Sequence, residues 1–146
     1  MRYDLSPRIL RRVLNLWPPF LFSGIHVVAI GDDWRHARVE LCMRPWDRNY
    51  VGSHFGGSLF SMTDPFWMIL ALRALGPDYI VWDKAGEIEF VKPGRGTVAA
   101  EFRVDDAMLD EIRTATAGGD KSLHWCPVDV VARVRKQLYV RRKRGR

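Results

Sequence analysis

One stretch of the sequence sets polar groups and glycines against an apolar run: Asn49-Tyr50-Val51-Gly52-Ser53-His54-Phe55-Gly56-Gly57-Ser58-Leu59-Phe60-Ser61-Met62-Thr63-Asp64. The pattern suits attack on an acyl carbonyl. A carbonyl under attack gains negative charge on its oxygen and needs donors already aimed at it. The N–H groups of Gly56 and Gly57 open a helical pattern, so they offer donors at the positive end of a helix dipole, with no side chain to block approach. A base or nucleophile must then lie within hydrogen-bond reach of the attacked carbon or of its water. Asp64 is the candidate, as the only acid in a strongly apolar run, where burial makes a carboxylate more basic. Asn49 is the candidate to position water or substrate, and His54 and Phe55 flank the same place. Each also has a plain structural reading. Asp64 before Pro65 can cap a helix that starts there, Asn49 can be a loop residue, and Gly56-Gly57 can serve close packing.

Spacing adds a constraint. Eight positions along a continuous helix, at 1.5 Å each, put Gly56 and Asp64 about 12 Å apart. One carbonyl cannot touch both from the same chain. Two antiparallel helices across a two-fold axis would bring Gly56 of one copy near Asp64 of the other.

The elements that must hold these groups follow from periodicity. Ser6-Pro7 starts a helix, Ile9, Leu10, Val13, Leu14 and Trp17 follow at helical spacing, and Pro18-Pro19 ends it. This basic amphipathic helix could lie on a membrane surface; packing on the domain is the preferred reading. Strands are expected at Ile25–Ile30 and Trp34–Met43 around a Gly31-Asp32-Asp33 turn. From Gly57 to Leu75 the pattern is helical and apolar nearly all round, which requires burial on every side, by sheet wrap or by a second subunit. Strand-like segments follow at Tyr79–Asp83, Gly86–Lys92 and Thr97–Val104, then a short helix near Ala107–Ala117. Two more strands, about Lys121–Val128 and Val130–Val140, close the chain. Asp83 and Lys84 read as members of a structural ion pair. His124 and Cys126 share a strand face, but two ligands are too few for zinc, and no metal site is expected.

Composition narrows the class. The chain has 146 residues, 47% of them hydrophobic, two cysteines and a net charge of +6. That length suits one domain, residues 1–146, with a helix in 1–20 and a basic tail at 141–146. The tail carries Arg141, Arg142, Lys143, Arg144 and Arg146, and without them the chain is near neutral, so no nucleic-acid partner is expected. No apolar run reaches the roughly 20 residues that span a bilayer, no leader pattern opens the chain, and the cysteine usage fits a reducing compartment. The expected location is the cytoplasm, with no membrane partner.

The segment Asn49–Asp64 resembles the active-site stretch of phenylacetyl-CoA-type and 4-hydroxybenzoyl-CoA-type hotdog thioesterases, Asn-x-x-Gly-x-x-His-Gly-Gly followed by Asp. Asn49, Gly52, Gly56-Gly57 and Asp64 fall in register. Phe55 stands where that pattern has histidine, and His54 stands one residue earlier. With Asp64-Pro65, Trp82-Asp83-Lys84 and Lys92-Pro93-Gly94-Arg95-Gly96, the chain most resembles a hotdog branch known only as a domain of unknown function. The resemblance, from about Ile25 to Arg142, implies an α+β hotdog fold: a curved, mostly antiparallel sheet wrapped around one long central helix. It implies an acyl-CoA thioesterase working as a homodimer or dimer of dimers, with a site shared between subunits. Coenzyme A enters as part of the substrate and no other cofactor is expected. Arg95, Arg133 and Arg135 are the candidates to grip its phosphates, with His54 and Phe55 as further substrate contacts. The alternatives are a non-catalytic acyl-CoA or acyl-chain binding protein, and a hydratase or dehydratase.

Overall fold

The structure, a computed structural model, describes residues 5–129 and 132–143. Ser6 caps the first helix, its side chain accepting from Ile9 N–H, and Pro7 opens α1 (Pro7–Leu16). Pro18-Pro19 stop α1 as expected, but they also open a second helix, α2 (Pro18–Phe22). A proline whose N–H is missing and whose φ is preset fits a first turn as well as it breaks an interior one. The Asn15 side chain bonds both N–H and C=O of Val27, fastening α1 to β1 (Ile25–Ile30) where that strand shifts register.

β2 (His36–Leu41) alternates intermediate and buried residues, as a strand with one face on a core must. It pairs antiparallel with β1 on one side and with β4 (Val98–Arg103) on the other. A second antiparallel sheet has β6 (Ala132–Arg142) at its centre, between β3 (Tyr79–Phe90) and β5 (Lys121–Asp129). β4 packs beside β5, so the two sheets continue one another around the core. α5 (Asp106–Thr116), capped by Asp105, fills the connection between them.

The central helical segment comes in two pieces. α3 (Gly56–Ser61) ends in a turn at Met62–Pro65, and α4 (Phe66–Leu75) follows and stops at Gly76. The expected continuous helix from Gly57 to Leu75 is therefore broken at the residue of most interest, Asp64. Apart from Arg73, α4 is apolar, and the chain itself covers much of it. Phe66 and Trp67 pack their rings on Phe102 of β4, and Phe20 of α2 packs on Phe66. No residue of α4 is exposed, so covering that helix does not need a second subunit.

The C-terminal boundary also differs from expectation. Arg141 and Arg142 pair with Ile80 and Tyr79, and Lys143 N–H donates to Asp78 C=O at 2.7 Å. Arg141 and Arg142 belong to the sheet rather than to a tail, and Lys143 is tied to the residue before β3; residues 144–146 lie outside the described residues. Among the described residues, no helix is long and apolar enough to cross a membrane.

Candidate active site

Asp64 sits in the turn between α3 and α4, and its partner comes from the far end of the chain. Lys136 Nζ donates to Asp64 Oδ1 at 2.8 Å. The pair is unequal: the lysine side chain is 7% exposed, the aspartate side chain 45%. The expected deep burial of Asp64 is thus replaced by an ion pair that opens toward solvent. The capping alternative fails as well, since Pro65 occupies the cap position of α4 and no side chain caps it.

Lys136 belongs to the inward phase of β6, Ala132, Val134, Lys136, Leu138 and Val140, all buried. A lysine in an otherwise apolar inward phase is a signal that period-2 reading offers. Directly opposite Lys136 stand Gly86 of β3 and Cys126 of β5. A Cβ at Gly86 would lie 2.6 Å from Phe60 Cζ and 3.3 Å from Lys136 Cδ, so only glycine lets the ring and the lysine stem meet there. The ammonium lies 4.4 Å from the Phe60 ring centroid, within cation–π range.

Asp83 acts on this group electrostatically. The expected ion pair with Lys84 is not among the contacts of the described residues. Burial pushes the Asp83 carboxyl pKa up, the Lys136 charge pulls it down, and the Asp64 carboxyl raises it. The Cys126 thiol is pushed up to about 12, by burial first and then by Asp83, which leaves it an inert, protonated side chain.

The glycine end of the segment forms a different place. Asn49, His54, Gly56, Leu59, Phe90 and Lys92 are among the residues lining a cavity of about 330 Å³, and Asp64 is not. Gly56 and Gly57 supply the first two N–H groups of α3, which a helix leaves without an internal acceptor. A Cβ at Gly56 would lie 2.7 Å from Phe90 Cζ, and one at Gly57 2.4 Å from Phe55 Cε1, so aromatic rings cover both glycines. Phe55 and Phe90 are themselves exposed, as are Tyr50, Val51 and Val91 nearby in sequence.

Asn49 organises its own loop. Its Oδ1 accepts from Val51 and Ser53 N–H, and its Nδ2 donates to Ser53 Oγ and His54 C=O, which occupies all four positions of the amide. His54 is buried and clasps the turn after β3: its N–H donates to Gly94 C=O at 3.0 Å and its Nε2 to Gly96 C=O at 2.7 Å. A ring nitrogen facing a carbonyl must carry the proton. Arg95 is exposed at the tip of that turn. Arg133 and Arg135 point to the outer face of β6, opposite Glu89 and Glu87 respectively, and form cross-strand ion pairs with them. Those acid partners compete with any phosphate, and the structure does not bring the two arginines to Asp64 or to the glycines.

Residues 7–144 match the family model described as a domain of unknown function (DUF4442). No curated protein matches the chain. Among solved structures it is similar to a protein of unknown function from Pseudomonas aeruginosa, termed a probable thioesterase. That pair has 16% identity and a TM-score of 0.79, over 95% of this chain and 97% of the other. It is also similar to a thioesterase from Haemophilus influenzae, at 13% identity, TM-score 0.67, 96% and 93% coverage. A third is the Escherichia coli PaaI protein from the phenylacetic acid degradation operon, at 18% identity, TM-score 0.60, 94% and 93% coverage. At these identities the likeness fixes the architecture, and it is the hotdog fold.

Proposed function

The chain belongs to the family described as a domain of unknown function (DUF4442), and from that premise we propose that it hydrolyses acyl-CoA thioesters at a site shared between two copies. One observation carries the reading: a carboxylate, Asp64, held at 2.8 Å by an enclosed lysine and open on its other side, at the break in the central helix. A fold shared with proteins termed thioesterases supports it.

In this mechanism Asp64 takes a proton from water as the water oxygen bonds to the acyl carbon. The carbonyl oxygen gains charge, and the Gly56 and Gly57 N–H groups stabilise it. Collapse breaks the C–S bond, the sulfur leaves with the electron pair, and it takes up the proton from Asp64. Lys136 holds the carboxylate in place. The glycines and Asp64 line different places in one chain, which favours a two-fold assembly in which one copy supplies the amides and the other the carboxylate. The exposed apolar residues Tyr50, Val51, Phe55, Phe90 and Val91 are a surface for that contact. The working compartment is the cytoplasm.

A second reading has its own observation. The Phe55 ring stands over Gly57, where it would serve an acyl-binding protein as well as an enzyme. A panel of acyl-CoA esters, aliphatic and aryl, with free-thiol detection separates the two. The enzyme releases thiol from at least one member, and Asp64→Asn lowers kcat by about 10²-fold or more, the lower end of a lost general base. Tight acyl-CoA binding with no thiol release would leave the binding protein standing instead.

A further inference from the structure

α1 has two apolar faces, and the fold uses one. Leu10 and Leu14 pack against the core, while Arg11 and Asn15 bond Val28 and Val27 of β1. Ile9, Val13 and Leu16 form a second stripe, at i, i+4 and i+7, and all three are exposed, Leu16 at 72%. The exposed apolar surface continues past α1. Trp17 closes the helix and is exposed, and so is Phe22 at the end of α2. Trp46, exposed at 69%, is tied to this end: its Nε1–H donates to Phe22 C=O at 3.4 Å. Arg44 Nη1 donates to Leu21 C=O at 2.7 Å, and its guanidinium lies 5.8 Å from the centre of the Trp46 ring. These bonds hold a large indole in place where it adds nothing to the core. Apolar side chains gathered at the surface in this way mark a docking face.

The charge around the face has one sign. Arg8 and Arg12 are both exposed, and Arg12 stands one turn before Leu16 on α1. From Leu5 to Gly31 the chain has no Asp or Glu. Asp47, next to Trp46 in sequence, is buried. Asp32, in the turn after β1, lies 3.8 Å from Arg8, but both side chains are mostly exposed and the contact contributes little.

We propose that this face seats the protein on an anionic phospholipid surface, with Leu16, Phe22 and the indoles of Trp17 and Trp46 below the headgroups and Arg8 and Arg12 at the phosphates. A lipid surface offers apolar depth and negative charge together, and indoles favour the boundary between them. A two-fold contact of this face with itself would instead set arginines against the same arginines. The protein lies on the membrane and does not cross it, in keeping with the absence of a helix long and apolar enough to span one among the described residues. The face is separate from Asp64 and from the cavity at Gly56, so the proposal does not depend on acyl-CoA hydrolysis.

The test is co-sedimentation of the full chain with vesicles of phosphatidylcholine alone and of phosphatidylcholine mixed with phosphatidylglycerol. The protein should bind the mixed vesicles and hardly the neutral ones, and raising salt from about 0.1 M to about 1 M should weaken the binding. Arg8→Gln with Arg12→Gln should lower the partition coefficient about 25-fold, roughly fivefold for each arginine. Leu16→Ser with Phe22→Ser should lower it about tenfold or more, with an unchanged thermal melt because both side chains are exposed. No binding to the mixed vesicles, or equal binding to both kinds, would overturn the proposal. So would full binding by the serine pair, which keeps every basic residue of the chain and would place the contact elsewhere. Light scattering covers the remaining occupant: a serine pair that falls to a smaller assembly than the wild type would mean that a second copy covers this face, and the proposal fails. Should the serine pair not fold, the arginine pair decides, since it changes only exposed charges.

Discussion

Lys136 Nζ and Asp64 Oδ1 meet at 2.8 Å across 72 positions of sequence, joining the last strand to the break in the central helix. The lysine stem runs under Gly86 and the Phe60 ring, so its ammonium has little freedom. Fixing one partner fixes the direction in which the other presents its free oxygen.

Lys136→Met keeps the stem and removes the charge. It leaves two carboxylates near one another without a cation. Breaking a fully buried pair costs about 3–5 kcal/mol; with Asp64 nearly half exposed, solvent screening reduces this to about 1–3 kcal/mol. The loss should be large at pH 8 and should shrink at acid pH, where the Asp83 carboxyl, pushed up by burial, takes up a proton. Urea unfolding at the two pH values measures it, and an equal loss at both would mean that the lysine contributes only packing.

Asp83→Asn should be more stable than the wild type at pH 8. Burial raises the folded-state pKa of Asp83, so the folded chain binds its proton more tightly than the unfolded chain does. The ionised group therefore costs stability above its folded pKa. That cost fades as pH falls through the folded value and is gone below the unfolded value of about 3.9. The variant and the wild type should converge by about pH 3. A stability gain independent of pH would sink this account.

Gly86→Ala and Gly56→Ala should differ, although each adds the same methyl group. At Gly56 the new Cβ meets the end of the Phe90 ring, which is 59% exposed and can swing away; the cost should stay below about 1 kcal/mol. At Gly86 it meets Phe60 and the Lys136 stem together. Gly86→Ala should lower kcat about tenfold or more by moving the ammonium, and Phe60→Leu in the same chain should recover part of it. A kcat unchanged in Gly86→Ala would show that Gly86 does not place the lysine.

Ending the chain after Val140 should lower Tm by about 4–8 °C, for a loss of roughly 2 kcal/mol in ladder and Lys143 hydrogen bonds. The pairs lost are Arg141 with Ile80 and with Lys121, Arg142 with Tyr79, and Lys143 with Asp78. A thermal melt unchanged by the truncation would show that the strand effectively ends earlier.

The sequence by itself determined most of the elements. Alternation placed β1 at Ile25–Ile30 to the residue, the Ser6-Pro7 cap placed α1, and the near all-round apolarity from Gly57 to Leu75 marked a helical segment packed into the core, which the structure breaks at Met62–Pro65. Caps, turns and side-chain period act over a few neighbouring residues, so they can be read locally. The ordered motif from Asn49 to Asp64 likewise carried the hotdog fold. Asn49 and His54 proved to be bound up in their own loops, because small polar groups near a turn bond the backbone whatever else they do. Lys136 was visible as a charge in an apolar phase, yet its partner was not. That Asp64 meets it depends on the register of β6 between β3 and β5 and on the turn at Met62–Pro65. The inward aim of Asp83 depends on a register shift that exists only once β3 pairs with β6. The meeting of Lys136 with Asp64 across 72 positions and the inward aim of Asp83 are set by strand pairing and packing, which no local pattern encodes, and the tertiary structure alone decided them.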